Sequence, residues 1–379
     1  MAIESNSVER SLPSDWYTKD KIFDLEQEHL YSKEWVCAGR IENLHKAGDH
    51  KVLEIAGQSI IVVKNESGEL RAFYNVCRHR GAQLCSTGLE TNVVSLKGGV
   101  VGGKRITCPY HAWSYDLDGH LLSAPHLEQI PKFDNKDVAL YPVGCEIWGG
   151  FFFLNLTPDQ APNFSEYISL FADRYARYPL DKLFTGQVIK YNVDANWKVL
   201  CENYNECYHC GPVHPELCEL VPAFRKKGGA DLDWENGVAH RPGADTFSFS
   251  GKSQLTVFEE LNEEELKRHK GDLIYPNLFL SFAKDHVAAF TLRPLQADKT
   301  EVICEFLFHP DEADKPRAHF ADIVDFWDLV NKQDWAICGS VQRGITSRVH
   351  EFGIFSPMED YNLDIRRYIE DRITPHLSN

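Results

Sequence analysis

The sequence predicts an α+β protein: a small antiparallel β domain, then a larger domain in which a curved antiparallel sheet packs against long metal-bearing helices. Three observations lead there. Short β-rich runs broken by turn residues fill Val36 to Leu156. Two Cys/His pairs, Cys77-x-His79 and Cys108-x2-His111, sit within that stretch. Downstream, Asn196 to Glu216 and a long amphipathic segment around Asp334 offer histidines and a carboxylate on helices.

A chain of 379 residues can bury a substantial core and suits two or three domains. Charged residues at 25% and hydrophobic residues at 43% are ordinary globular values. The formal net charge of -16 argues against a nucleic-acid partner, which needs a basic surface. Eleven cysteines are scattered rather than framework-spaced, and the N-terminal MAIESNSVER is polar, so the expectation is a cytoplasmic protein with reduced thiols available for metals. No apolar run reaches the length of a membrane span.

In chain order, Ser14 to Trp35 predicts an amphipathic helix with Ile22, Phe23, Leu25, Leu30 and Tyr31 on its apolar side. Residues 1–35 are expected to form a helical segment packing on the second domain. Strands follow at VLEIAG, SIIVVKN and LRAFYNV, and Asp118-Gly119 is a hairpin signal. The β domain runs over 36–160, closing after GGFFFLNL at Pro158 and Pro162. Residues 161–379 make the second domain, with strands at TGQVIKYNVD, NLFLSFAKDHVAAFTLRPL and TEVICEFLFHP. Gly228 to Phe258 reads as a loop over a pocket mouth, and ELNEEELKRHKGD as a solvated helix or coil.

Each Cys/His pair lies beside a turn, the first before Gly81 and the second containing Pro109, so both can project toward one centre. Two thiolates and two imidazoles suit either a zinc site or a Rieske [2Fe-2S] cluster, and spacing alone leaves both open.

The run Asn196 to Cys210 lacks Gly and Pro and reads as helix, with Val199, Glu202, Glu206 and His209 along one face. Gly211-Pro212 is expected to end it, leaving His214 past the break. On an unbroken helix, residues five apart would point roughly 140° apart. A broken turn can aim both imidazoles at one ion. A third ligand is sought on a helix from Lys315 to Arg343, where Phe320, Ile323, Trp327, Val330, Cys338 and Val341 fall within roughly 40° of Asp334. A carboxylate facing a core calls for a partner. Asp322, Asp325 and Asp328 lie off the stripe and read as solvated acids. Two histidines and a carboxylate with open positions signal non-haem Fe(II) oxygen chemistry. A thiolate zinc site of Cys207, Cys210 and His214 is the competing arrangement; the two cysteines are read as core.

NVCRHRG (Asn75 to Gly81) and CPYHAWSYDLDG (Cys108 to Gly119) resemble the cluster motifs of Rieske non-haem iron oxygenase α subunits. NWKVLCENYNECYHCGPVHPEL resembles that family's mononuclear-iron motif, and QDWAICGSVQRGI (Gln333 to Ile345) its C-terminal helix bearing the carboxylate ligand. The resemblance covers almost the whole chain in the right order. It implies a helix-grip catalytic pocket, Cys77 and Cys108 on one cluster iron, His79 and His111 on the other, and His209, His214 and Asp334 on a mononuclear Fe(II). It also implies a homotrimer, a separate reductase drawing on NAD(P)H, O2 and a small-molecule substrate, and Glu206 as the acid bridging the two centres across a subunit boundary.

Two departures from the family pattern stand out. Glu206 replaces the Asp common in ring-hydroxylating members and resembles the quaternary-amine branch acting on choline, carnitine and glycine betaine. That branch implies hydroxylation of a C–H bond next to nitrogen with C–N cleavage, in a pocket for which Tyr204, Tyr208, Trp234, Phe282 and Phe290 are aromatic candidates. The alternative is a Rieske hydroxylase or dioxygenase acting on an aromatic or other hydrophobic acid, with Arg225, Arg241 or Arg293 for its carboxylate. A non-enzymatic Rieske or zinc protein would not need Asp334 opposite the histidines. The second departure is the 28 residues between His79 and Cys108, an insertion with Gly98, Gly99, Gly102 and Gly103 that is expected to loop outward.

Overall fold

A computed structural model describes residues 8–86, 99–101, 103–127, 129–130, 133–227 and 232–377. The chain divides into two compact units, Tyr31–Asp173 on the one hand and Met1–Leu30 with Arg174–Asn379 on the other.

The second of these begins with two short helices, α1 (Asp15–Thr18) and α2 (Asp20–Glu26), then a π turn over Gln27–Tyr31. The single helix expected over Ser14 to Trp35 is thus three pieces. Trp35 lies outside all of them, leading into the first strand.

In the unit Tyr31–Asp173, strands β1 (Val36–Arg40), β2 (His50–Ile55), β3 (Gln58–Lys64) and β4 (Leu70–Tyr74) belong to a six-stranded antiparallel sheet. A four-stranded sheet is formed by β5 (Gly99–Val101), β6 (Arg105–Thr107), β7 (Ser114–Tyr115) and β8 (Leu121–Ser123). Strands β9 (Pro142–Trp148) and β10 (Phe151–Asn155) complete the first sheet in the order β1-β10-β9-β4-β3-β2, and α3 (Phe164–Arg174) follows. Phe164 of that helix meets both Trp35 and Phe153 edge-on or tilted, which ties it to this sheet. The Asp118-Gly119 turn joins β7 to β8. Gly119 has φ +89°, and a Cβ there would lie 2.5 Å from the Phe73 ring, so only glycine fits. Within the insertion between the two Cys/His pairs, residues 87–98 and 102, Gly98 and Gly102 included, lie outside the described residues, while Gly99 opens β5.

The other unit is built on one antiparallel sheet, β11-β16-β15-β14-β13-β12, from β11 (Phe184–Val193), β12 (Val238–Ala239), β13 (Arg268–Ile274), β14 (Leu278–Phe282), β15 (His286–Gln296) and β16 (Lys299–Phe308). Its helices are α4 (Trp197–Tyr204), α5 (Cys210–Val213), α6 (Pro215–Leu220), α7 (Ala223–Lys227), α8 (Ala321–Ile345) and α9 (Asp360–Ile373). Long β15 and β16 form a hairpin whose residues from Val287 to Leu292 are almost wholly buried, and α8 packs on α4 and β11. The segment Glu260 to Asp272 corrects the expectation of a solvated helix or coil. Its last part, from Arg268, becomes β13, and Glu265, only 3% exposed, accepts hydrogen bonds from Lys270 and Arg177. Opposite charges that neutralise one another can be buried together, which composition does not reveal. Among the described residues from 232 to 258 the chain is irregular apart from β12, yet Thr246, Phe247 and Ser248 are buried.

Candidate metal centres

In the smaller unit the two Cys/His pairs are delivered by two copies of one local loop. After β4, Cys77 donates its backbone N–H to Ala82 O and accepts at its own carbonyl from Gly81 N–H. Between β6 and β7, Cys108 donates to Trp113 O and accepts from Ala112 N–H. Gly81 (φ 75°) and Ala112 (φ 57°) occupy the same left-handed position, four residues past each cysteine. The loop therefore reverses sharply and leaves cysteine inward and histidine outward. Cys77 and Cys108 are 2% and 3% exposed, whereas His79 and His111 are exposed, with their rings 4.7 Å apart.

These side chains fit a Rieske cluster. Burial raises the Cys108 thiol pKa; backbone N–H groups of Tyr110 and His111 lower it, and a hydrogen bond with Cys77 raises it. The same amides, with the Tyr115 hydroxyl 3.3 Å from Cys77 Sγ, are the donors that sulfur ligands of a cluster use. His79 stacks on Trp113 and His111 lies tilted against Tyr110, which holds both rings. Asn75 fastens the first loop from inside, its Oδ1 accepting from Leu84 and Cys85 N–H.

In the larger unit, α4 starts at a built anchor. Asn196 caps it by accepting from Lys198 N–H, and its Nδ2 donates to Ala297 O at 2.6 Å. Lys198 and Glu26, both 0% exposed, pair at 2.5 Å, and Trp197 Nε1 donates to Glu26 as well.

The helix does not continue to Cys210 as expected. It stops at Tyr204, whose ring stacks on Phe279 and whose hydroxyl donates to Leu280 O on β14. Glu206 and His209 then occupy an irregular turn, closed when Glu206 Oε2 accepts from His209 N–H at 3.1 Å. Gly211 and Pro212 lie inside α5 rather than ending a helix, because a first-turn residue has no intrahelical acceptor to lose. The real break is at His214, held at φ -119° and ψ 72° between α5 and α6, where the following Pro215 disfavours helical backbone.

The result is convergence. His209 Nε2 lies 3.3 Å and His214 Nε2 2.9 Å from the same oxygen, Oδ1 of Asp334 on α8. The three ligand atoms all lie within 4.8 Å of one another, the spacing of atoms that each sit about 2 Å from a shared ion. Burial pulls the His209 imidazolium pKa down, but the hydrogen bonds its ring donates to Asp334 and Glu206 outweigh it and push it up to about 9. A metal binding here therefore displaces a proton.

Phe320, just ahead of α8, and Ile323, Trp327, Val330 and Cys338 on it are buried, but Val341 is 43% exposed, a correction to the expected stripe. Past Asp334 the buried face turns to Gly339, Gln342 and Ile345. Asp322 and Asp328 are also not simply solvated: they accept from Ser250 and Tyr191. Cys207 and Cys210 are buried and joined to each other as a disulfide, so the reduced-thiol expectation does not describe this pair. Two residues beside the histidines went unnoticed in the sequence. Asn203 Nδ2 lies 3.3 Å from His209 Nε2, and Gln333 Oε1 lies 2.8 Å from His214 Nδ1. The only available signal was their adjacency to Glu202 and Asp334.

Of the five aromatic candidates, Tyr204 and Phe290 meet in a row with Phe279 and Trp327. Phe282 instead stacks on Tyr175, Trp234 on Phe224, and Tyr208 is 51% exposed. The three arginines are engaged elsewhere: Arg293 with Glu301, Arg241 with Glu219 O and Arg225 with the Cys218 thiol.

Comparison with known proteins locates two families on the chain. The Rieske [2Fe-2S] domain matches residues 34–134, and the ring hydroxylating alpha subunit catalytic domain matches residues 180–374. The carnitine monooxygenase oxygenase subunit of Escherichia coli is 36% identical over 351 residues, covering 89% of this chain and 85% of the relative. The glycine betaine monooxygenase oxygenase subunit of Pseudomonas aeruginosa is 28% identical over 384 residues, covering 93% and 86%. Among solved structures, the quaternary ammonium Rieske monooxygenase CntA in complex with L-carnitine superposes with a TM-score of 0.71 at 23% identity, covering 95% of this chain and 96% of that one. Naphthalene 1,2-dioxygenase from Rhodococcus sp. gives 0.70 at 19% identity, covering 97% and 95%. At those identities the two structures show a shared fold.

Proposed function

We propose, on the premise that this chain belongs to the Rieske non-haem iron oxygenases as an α subunit of the ring-hydroxylating family, that it hydroxylates a C–H bond next to nitrogen in a quaternary or methylated amine of the choline, carnitine or betaine type. The protein is an oxygenase component whose family uses a Rieske [2Fe-2S] cluster and a mononuclear iron. The observation that carries the reading is the meeting of His209, His214 and Asp334 beside Glu206.

In this reading Cys77, Cys108, His79 and His111 would hold the cluster, and His209, His214 and Asp334 would hold the iron. When bound, the cluster supplies single electrons and the iron supplies oxygen activation. One atom of O2 enters the C–H bond and the other leaves as water, with two electrons and two protons consumed. The carbinolamine-type product then breaks its C–N bond. The chain positions the parts: Glu206 Oε1 accepts from His209 Nδ1–H and turns Nε2 toward Asp334, where an iron would be held. The ring faces of Tyr204, Phe290 and Trp327 suit a cation that has no hydrogen to donate. The engaged state of Arg225, Arg241 and Arg293 supports the amine over an aromatic acid.

The assembly in this reading is a homotrimer in the cytoplasm, charged by a separate reductase using NAD(P)H. Glu206 would link His209 to a cluster histidine of a neighbouring subunit. Exposed His79 and His111 beside half-exposed Tyr110, and exposed Tyr208 beside His209, support a contact of that kind. The decisive experiment is a single turnover: protein reduced chemically, exposed to O2 with a mixture of quaternary amines and aromatic acids, and read by mass spectrometry. Oxidation or fragmentation of one amine is expected. Oxidation of an aromatic acid alone would overturn the substrate class.

A further inference from the structure

We propose that Gln333 and Glu216 act together as positioning residues that fix which nitrogen of His214 faces the metal. Gln333 precedes Asp334 on α8, and its side chain spans two partners. Its Oε1 lies 2.8 Å from His214 Nδ1, and its Nε2 donates to Glu216 Oε2 at 3.0 Å. Glu216 stands on α6, two residues past His214.

The logic runs outward from the carboxylate. An ionised carboxylate only accepts, so Gln333 must turn its NH2 toward Glu216. The amide oxygen then faces His214, and an oxygen only accepts. The proton between them therefore belongs to Nδ1 of His214. Nε2 is the atom 2.9 Å from Asp334, and once a metal takes the place of the proton there, a neutral imidazole with its remaining proton held on Nδ1 offers the Nε2 lone pair. Glu216 sets the amide, the amide sets the tautomer, and the tautomer opens the metal-facing nitrogen. One turn of α8 thus supplies both a ligand, Asp334, and the clamp on another ligand. His214 is 1% exposed, so no bulk water competes for its Nδ1.

The two histidines are consequently held by different means. His209 leans directly on the charged Glu206, whereas His214 reaches its carboxylate through a neutral amide. Removing Glu216 frees Gln333 to flip and present NH2 to Nδ1, which favours the other tautomer and blocks Nε2 with a proton.

This inference rests on His214 and Asp334 being metal ligands, and the test separates the two. Protein with its cluster intact and its mononuclear site emptied is titrated with Co(II) by calorimetry. Asp334→Ala, Gln333→Leu, Glu216→Leu, Glu216→Gln and the Gln333→Leu/Glu216→Leu pair are compared with the unaltered chain. Cluster absorbance and thermal melting report folding. Gln333→Leu and Glu216→Leu are each expected to weaken binding about 10- to 100-fold. The pair should be no worse than Gln333→Leu alone, because both break one chain of bonds. Glu216→Gln, which can still accept from the amide, should stay within about threefold. Retained Co(II) affinity in Asp334→Ala would overturn the ligand assignment. If Asp334→Ala loses Co(II) while Gln333→Leu binds normally, or if the two losses add, the clamp is overturned. Should Gln333→Leu fail to fold, Glu216→Leu against Glu216→Gln decides the same point.

Discussion

The two proposed metal centres are built in opposite ways. The cluster site repeats one short loop twice, each loop closing on its own backbone from Cys77 to Ala82 and from Cys108 to Trp113. The mononuclear site is gathered from an irregular turn, a helix break and a helix 120 residues further on, and it is fixed by side chains. A site whose geometry is local survives changes in its surroundings, whereas a site assembled over distance depends on every group that anchors the pieces. His79 and His111, proposed for the cluster, are exposed, and His214, proposed for the iron, is buried, the contrast expected between electron exchange at a surface and chemistry away from water.

The sharpest break of this comparison is to remove one ligand from each centre. Cys108→Ser is expected to abolish the cluster's visible absorbance while leaving mononuclear metal binding, and Asp334→Ala to do the reverse, with iron affinity lowered more than about 100-fold. Metal analysis of both proteins checks the separation; loss of both centres in either variant would show the sites to be one cooperative unit. Next in size, Glu206→Gln should keep both metals yet lower turnover about 10- to 100-fold. Iron and sulfide content unchanged with normal turnover would remove Glu206 from any role between the centres.

The anchors of the larger unit come next. Cutting the Lys198 pair with Glu26→Ala leaves an unpartnered buried ammonium and should cost about 3–5 kcal/mol, measured by denaturant unfolding. Glu202, accepting from Tyr17 at 2.5 Å, has its pKa pushed up by burial to about 7. Its folded pKa exceeds the unfolded one, so the folded state keeps a proton that the unfolded state has released. Stability from this group therefore falls as pH rises from about 4.5 to about 7 and is level above it. Glu202→Gln should flatten that decline in a melting series across the same range.

The smallest effect tests the repeat itself. Gly81→Ala puts into the first loop what the second already tolerates at Ala112, and its added Cβ would meet Val76 only at 3.9 Å. The cost should be about 1–2 kcal/mol of left-handed strain with the cluster retained. A lost cluster would mean that the two loops are not equivalent.

Much of this was legible in order along the chain. The β-rich runs, the Asp118-Gly119 hairpin and both Cys/His pairs are features whose physics lies within a few residues, and α8 with Asp334 on its inward face followed from periodicity. The end of α4 was not legible, because it depends on Tyr204 finding Phe279 and Leu280 from a strand about 75 residues away. Pro212 looked like a stop and is a first-turn residue; Pro215 does the breaking, and nothing local distinguishes the two. Glu265 and Lys270 read as surface charges until their mutual burial was seen. Gln333 looked like any polar neighbour of Asp334.

Sequence alone determined which chemistry is available: two thiolates and two imidazoles in paired loops, two further histidines, and a carboxylate on an apolar helix face. Residue type and short spacing are covalent facts, and they fix donor atoms and local turns. Only the tertiary structure decided that Nε2 of both histidines meets one oxygen of Asp334, and that Glu206 and Gln333 hold those rings in place. Those are contacts between segments far apart in the chain, set by which buried faces pack together.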